Sequence, residues 1–124
     1  MLQKTQMVRV RKALESSYNG KCQITEHRKI KKANKSTAFE EVMVLKNQPC
    51  RLSFKTVTNA STGTTASAIT QIVKLFLAPE INVKAGSKIT VTQNGVTTDY
   101  KSSGQPAIYT NHQEIILELF DGWA

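Results

Sequence analysis

Lys88-Ile-Thr-Val-Thr-Gln-Asn-Gly-Val-Thr-Thr-Asp-Tyr-Lys101 decides the fold class of this chain. Ile89 and Val91 alternate with Lys88, Thr90 and Thr92, so the two apolar side chains share one face of a strand. Asn94-Gly95 follows. Both central residues of a type I′ turn need positive φ, and Asn-Gly accepts it most readily. The pair therefore predicts a tight hairpin, with Val96–Lys101 as the returning strand.

The same period continues on either side. Ile69–Leu77 holds Ile72, Val73, Leu75, Phe76 and Leu77 and reads as a strand buried on both faces or nearly so. Ala78–Val83 follows as extended chain, and Ala85-Gly86-Ser87 as a turn. Cys50–Val57 alternates Leu52, Phe54 and Thr56 on one side. Thr37–Leu45 is a strand that Asn47-Gln48-Pro49 breaks. Lys21–Lys31 puts Cys22, Ile24 and Ile30 on one face, a half-exposed strand that a basic turn, Lys31–Ser36, joins to the next. Ser102–Pro106 reads as a loop, and Ala107–Asn111 and Glu114–Phe120 as closing strands. Most of the phenylalanines fall at core-type positions. Residues 2–17 suit a short helix with Met7, Val10 and Leu14 on one face, stopped by Tyr18-Asn19-Gly20 with Gly20 at C′. So short a helix is marginal alone and should dock on the domain or on a neighbour. The sum is a mainly β chain: a small antiparallel barrel, or a sandwich, of about six to seven strands with one N-terminal helix.

Residues 1–124 form a single domain, with no linker and no internal repeat. Apolar content is 40%, and no run approaches the roughly 20 residues of a spanning helix. Met1–Lys12 lacks the apolar core of a signal peptide, which points to the cytoplasm or to assembly there. Cys22 and Cys50 lack metal spacing and read as two small buried thiols. The net charge of +8 is unevenly placed: residues 1–35 hold ten Lys/Arg against Glu15 and Glu26, and the remainder balances. Lys4, Arg9, Arg11, Lys12, Arg28, Lys29, Lys31 and Lys32 are the candidate partner-binding cations. Their partner is nucleic acid, an anionic membrane or an acidic protein surface.

Catalytic signals are weak. His112-Gln-Glu114 is a common pairing, and neither it nor His27 comes with a positioned partner in the sequence. Glu40 and Glu41 are adjacent on a strand and point to opposite faces, so they cannot act together. No hydroxyl sits in a nucleophile elbow and no glycines form a phosphate loop. We read no enzyme, no cofactor and no metal.

Between the strands ending at Val57 and beginning at Ile69 lies Thr58-Asn59-Ala60-Ser61-Thr62-Gly63-Thr64-Thr65-Ala66-Ser67-Ala68. It carries no charge, no aromatic and no large apolar group. It has little apolar surface with which to offset the entropy of ordering. It also exceeds the usual hairpin loop of about two to five residues. Loops of that kind carry function or are disordered, and this one is the candidate functional element.

The order of parts from Leu75-Phe-Leu-Ala-Pro-Glu-Ile-Asn-Val-Lys-Ala-Gly-Ser-Lys-Ile-Thr-Val91, through Gly104-Gln-Pro-Ala-Ile-Tyr109, to His112-Gln-Glu-Ile-Ile-Leu117 resembles a known family. It is similar to the head-closure, or head–tail connector "stopper", proteins of tailed phages, and most similar to the XkdH/YqbH proteins of PBSX-type and skin-type phage-like elements in Bacillus. The resemblance spans nearly the whole chain and rests on order and length, not on one motif. It implies a small barrel in a homo-oligomeric ring, stacked between a portal-side adaptor and a tail-completion protein, in the neck of a particle assembled in the host cytoplasm. DNA passes through the ring, and non-specific contact with it is expected. The resemblance puts Thr58–Ala68 in the place of a loop that lines or gates the channel. A rival reading is a small basic nucleic-acid-binding barrel acting through residues 4–35.

Overall fold

The computed structural model describes residues 4–31, 37–59 and 68–123. Helix α1 spans Lys4–Glu15. The strands are β1 Gly20–Lys31, β2 Thr37–Asn59, β3 Ala68–Leu77, β4 Lys88–Gln93, β5 Val96–Ile108 and β6 Gln113–Leu119. All neighbours are antiparallel, and the order β1-β2-β3-β6-β5-β4 closes on itself as a barrel, since β4 pairs back onto β1. The sandwich is thereby set aside.

One face of each strand fills the interior: Cys22 and Ile24, Cys50 and Leu52, Leu75 and Leu77, Ile89 and Val91, Tyr100, Ile115 and Leu117. The Asn94-Gly95 turn has φ of 54° and 77°, as a type I′ turn requires. The connection from β3 to β4 crosses one end of the barrel and sends Val83 into the core. Gln113, 1% exposed, pins that connection by donating from Nε2 to the carbonyls of Ala78 (2.8 Å) and Ile81 (2.6 Å).

Several local expectations are corrected. The helix is shorter than 2–17 among the described residues, and Gly20 does not cap it. Tight bonds from Ser17 N to Leu14 O and Tyr18 N to Glu15 O end it, and Gly20 opens β1. Glycine is needed there for closeness, because a Cβ would lie 3.1 Å from the Cys50 carbonyl oxygen. Asn47-Gln48-Pro49 does not break β2, which runs unbroken for 23 residues. Asn47 takes φ 55° where the β1–β2 register shifts, so the irregularity is absorbed as a bulge. Pro49 is tolerated because β2 pairs on one side only there. Ser102–Pro106 likewise belongs to β5, bent at Gly104 (φ 74°) by a register shift between Ser103 and Ala107. Merging these pieces leaves six strands.

Two burial expectations also fail. In β3 Leu75 and Leu77 are buried, while Ile72 and Val73 are half-buried and Gln71 is exposed. No phenylalanine is fully buried: Phe39 is 63% and Phe54 52% exposed, and Phe76 and Phe120 are half-buried. Phe39 sits where β2 extends beyond the barrel wall, and Phe54 lies at the wall's last rung, opposite Val73, which still pairs with Leu117.

Candidate functional site

Strands β1, β2 and β3 are longer than the wall needs. β2 pairs with β3 from Arg51–Phe76 to Asn59–Ala68, but β3 reaches β6 only over Val73–Leu77. The pair 55–59 with 68–72 therefore leaves the barrel as a two-stranded ribbon. Its last rungs are Thr58–Ile69 and Asn59–Ala68. The expected loop Thr58–Ala68 is thus narrower, with Thr58, Asn59 and Ala68 in the ladder. Ala60, Ser61, Thr62, Gly63, Thr64, Thr65, Ala66 and Ser67 lie outside the described residues.

A second ribbon leaves the barrel elsewhere. β1 pairs with β4 over Lys21–Thr25 and with β2 out to Lys31–Thr37. Residues 26–31 and 37–43 project together.

The basic candidates divide between α1 and this second ribbon. On α1, Lys4 lies in the first turn, and Arg9 and Lys12 are exposed. Arg11 is committed: Nε bonds Glu15 (3.0 Å) and Nη2 bonds Glu80, which ties the helix to the β3–β4 connection. The guanidinium holds the Glu80 carboxyl below its usual range. Behind Arg11, Leu14 and Tyr18 face Arg51, Ser53 and Phe76 across a cleft of about 160 Å³ on the outer wall. The Tyr18 hydroxyl is buried with no hydrogen-bond partner among the described residues, and burial raises its pKa. Val8 and Val10 stay 50% and 41% exposed, so among the described side chains the helix docks by its C-terminal part.

On the ribbon, Lys29 and Lys31 are exposed. Arg28 Nε bonds Glu26 (2.9 Å), whose carboxylate is nearly enclosed and also 3.8 Å from Lys84. Lys32 lies outside the described residues. Arg11 and Arg28 thus neutralise carboxylates of this chain, which removes two cations from a set expected to face a partner.

The sequence reading missed an aromatic strap. The chain after β6 crosses the outside of the barrel, with Phe120 N bonded to Asp99 O. Trp123 stacks on His27 at 4.7 Å, and His27 stacks on Phe39 at 5.0 Å. Trp123 Nε1 donates to Glu41 (2.8 Å), and Lys88 lies over the Phe120 ring. His27, Glu41 and Trp123 are far apart in sequence, and no spacing signals their meeting.

His112 hydrogen-bonds Glu114 at 3.0 Å and stacks on Tyr109. Cys22 and Cys50 are free and buried; a hydrogen bond shared with Cys50, together with burial, pushes the Cys22 thiol far above its ordinary pKa. Among the described residues no group of three His, Cys, Asp or Glu could hold a metal, and no helix is long and apolar enough to cross a membrane.

No protein-family model and no curated protein matches the chain. Among solved structures it is similar to the phage-like element PBSX protein xkdH from Bacillus subtilis, at 9% identity and a TM-score of 0.48, over 82% of this chain and 92% of that one.

Proposed function

We propose that the chain is a structural subunit of the neck of a phage or phage-like particle. In this reading it is a head-closure or head–tail connector protein, assembled as a homo-oligomeric ring between a portal-side adaptor and a tail-completion protein. DNA passes through the ring, and the β2–β3 hairpin lines or gates the channel. One observation carries the reading: two strands run on past a closed barrel wall toward a joining segment, Ala60–Ser67, that has no charge. The order of parts from Leu75 to Leu117 supports the particle, and the projecting hairpin supports the channel.

The composition of the tip suits moving DNA. Fixed lysine–phosphate contacts dominate protein–DNA affinity and would resist sliding. Neutral hydroxyls and small side chains suit both water and a passing polyanion. An isolated two-stranded ribbon is marginally stable at best, so contacts between neighbouring ribbons in a ring would add to its stability.

Deleting Ser61–Thr65 leaves the barrel intact and impairs retention of packaged DNA. Particles that carry the deletion and hold their DNA normally would sink the gating role. The rival reading, a nucleic-acid-binding barrel acting through residues 4–35, requires affinity of the isolated chain for DNA that falls steeply with salt. Arg11 and Arg28, already paired with Glu80 and Glu26, count against it.

A further inference from the structure

The β1/β2 ribbon has two open edges. Among the described residues, Glu26–Lys31 of β1 pair with β2 and have no strand partner on the β4 side. Among the same residues, Thr37–Met43 of β2 pair with β1 and have no strand partner on the β3 side, where pairing starts at Arg51. Among the described residues no main-chain hydrogen bond from the β3–β4 connection reaches either edge. Rows of unpaired N–H and C=O groups are templates for another strand.

The edges differ in charge. The β1 edge offers Lys29 and Lys31, since Arg28 is bonded to Glu26, and the β2 edge offers Glu40, since Glu41 is bonded by Trp123 and lies 3.9 Å from Lys88. Lys29, Lys31 and Glu40 are exposed and make no ion pair among the described residues. The two strands already match one another inside the molecule, with Arg28 opposite Glu40 and His27 opposite Glu41. Phe39 and Met43, on the β2 edge, are 63% and 52% exposed.

We propose that this ribbon is a self-association surface, in which the basic β1 edge of one copy pairs antiparallel with the acidic β2 edge of the next. The new ladder repeats the antiparallel pairing of these two strands that the molecule already contains, and it brings an edge bearing Lys29 and Lys31 beside one bearing Glu40. The symmetric arrangements are disfavoured: β2 on β2 brings Glu40 beside itself, and β1 on β1 brings Lys29 and Lys31 beside themselves. The contact is therefore head-to-tail, which closes into a ring if the rotation allows and otherwise propagates. The bulges that follow Met43 end the regular edge, so the shared ladder is short and the contact depends on salt. As the contact between subunits of a neck ring it rests on the function proposed above; as a property of the free chain it stands alone.

The test uses the full chain and two double variants, Lys29→Glu with Lys31→Glu and Glu40→Lys with Glu41→Lys. Circular dichroism and thermal melting confirm that each folds. Glu40→Lys alone serves as a second variant that leaves the Glu41–Trp123 bond in place. Sedimentation velocity over a concentration series reads association. The expected result is association of the native chain that weakens with salt, on the order of tenfold weaker association for each double variant alone, and recovery when the two are mixed. The mixture restores both edges, because each reversed edge then meets a reversed partner. A native chain that stays monomeric at every concentration overturns the proposal, as does a mixture that fails to recover. Association that survives both reversals overturns the edge assignment while leaving the neck reading untouched, since that reading is judged by DNA retention in particles.

Discussion

Replacing Gln113 with alanine removes the buried side chain that fastens the start of the β3–β4 connection over the barrel end. Its amide sits 1% exposed and donates to two carbonyls at once. Ala78 O keeps a second partner, Ile81 N at 3.4 Å, so its loss is one hydrogen bond, about 1 kcal/mol. Ile81 O has no other main-chain partner among the described residues and is left stranded, at about 1–3 kcal/mol. The emptied side-chain volume adds about 1 kcal/mol. The expected cost is about 3–5 kcal/mol, a large part of the roughly 5–15 kcal/mol of a typical domain, with a fall in Tm of roughly 10–20 °C. Urea unfolding measures the first number, and hydrogen exchange of the amides in 78–87 locates the damage. Gln113→Glu sharpens the test. A carboxylate facing two carbonyl oxygens in a buried site has its folded pKa raised above the unfolded value. Its relative stability is therefore fully present below the unfolded pKa and is lost as pH rises through the folded one. This variant should be worse than Gln113→Ala at neutral pH and approach it in acid. A cost below about 1 kcal/mol for Gln113→Ala, with exchange in 78–87 unchanged, would refute the reasoning.

Two further perturbations probe other joints. Glu114 is held below the usual carboxylate range, first by its hydrogen bond with His112 and then by Lys74. A depressed folded pKa contributes stability that is present above the unfolded value and lost as pH falls through the folded one, so a carboxyl titration followed by NMR should find Glu114 low, and His112→Ala should move it back up. Gly20→Ala forces a methyl to within 3.1 Å of the Cys50 carbonyl oxygen, and urea unfolding should show a loss of about 1–3 kcal/mol; a neutral result would mean that the β1–β2 seam gives way easily.

The fold was legible wherever a local pattern had one structural solution. Ile89 and Val91 alternate beside an Asn-Gly pair, and both the strand and its turn are found where the pattern puts them. Strand ends were less legible. Asn47-Gln48-Pro49 and Ser102–Pro106 carry residues that terminate strands in many proteins, yet here a positive φ at Asn47 and at Gly104 turns each into a bend within a longer strand. The composition of a turn and that of a bulge are the same, and tertiary pairing decides between them. Phe39 and Phe54 fell outside the core for a related reason: their alternation is correct for a strand, but Phe39 lies on a part of β2 that runs past the wall and Phe54 on the wall's last rung.

That overrun links the candidate site to the rest of the molecule. A strand of 23 residues is far longer than a small barrel can pair on both sides. β2 resolves the excess by changing partners: it follows β1 up to Cys50 and β3 from Arg51 onward. Each half then overshoots the barrel in company with one neighbour, which produces the two ribbons. The uncharged segment was visible in the sequence because its composition is unusual. The ribbon that bears it was not, because an apparent break at Pro49 concealed the length of β2. The strands at 26–31 and 37–43 were read as a hairpin, Lys21–Lys31 with Thr37–Leu45, but nothing local shows that they run past the wall. Their cations were read as one basic region with those of α1, whereas Arg28 turns to Glu26 and Arg11 to Glu80. What a charge run offers a partner is set by the carboxylates of its own chain that reach it first, and here those lie at position 26 and on a connection some seventy residues away in sequence.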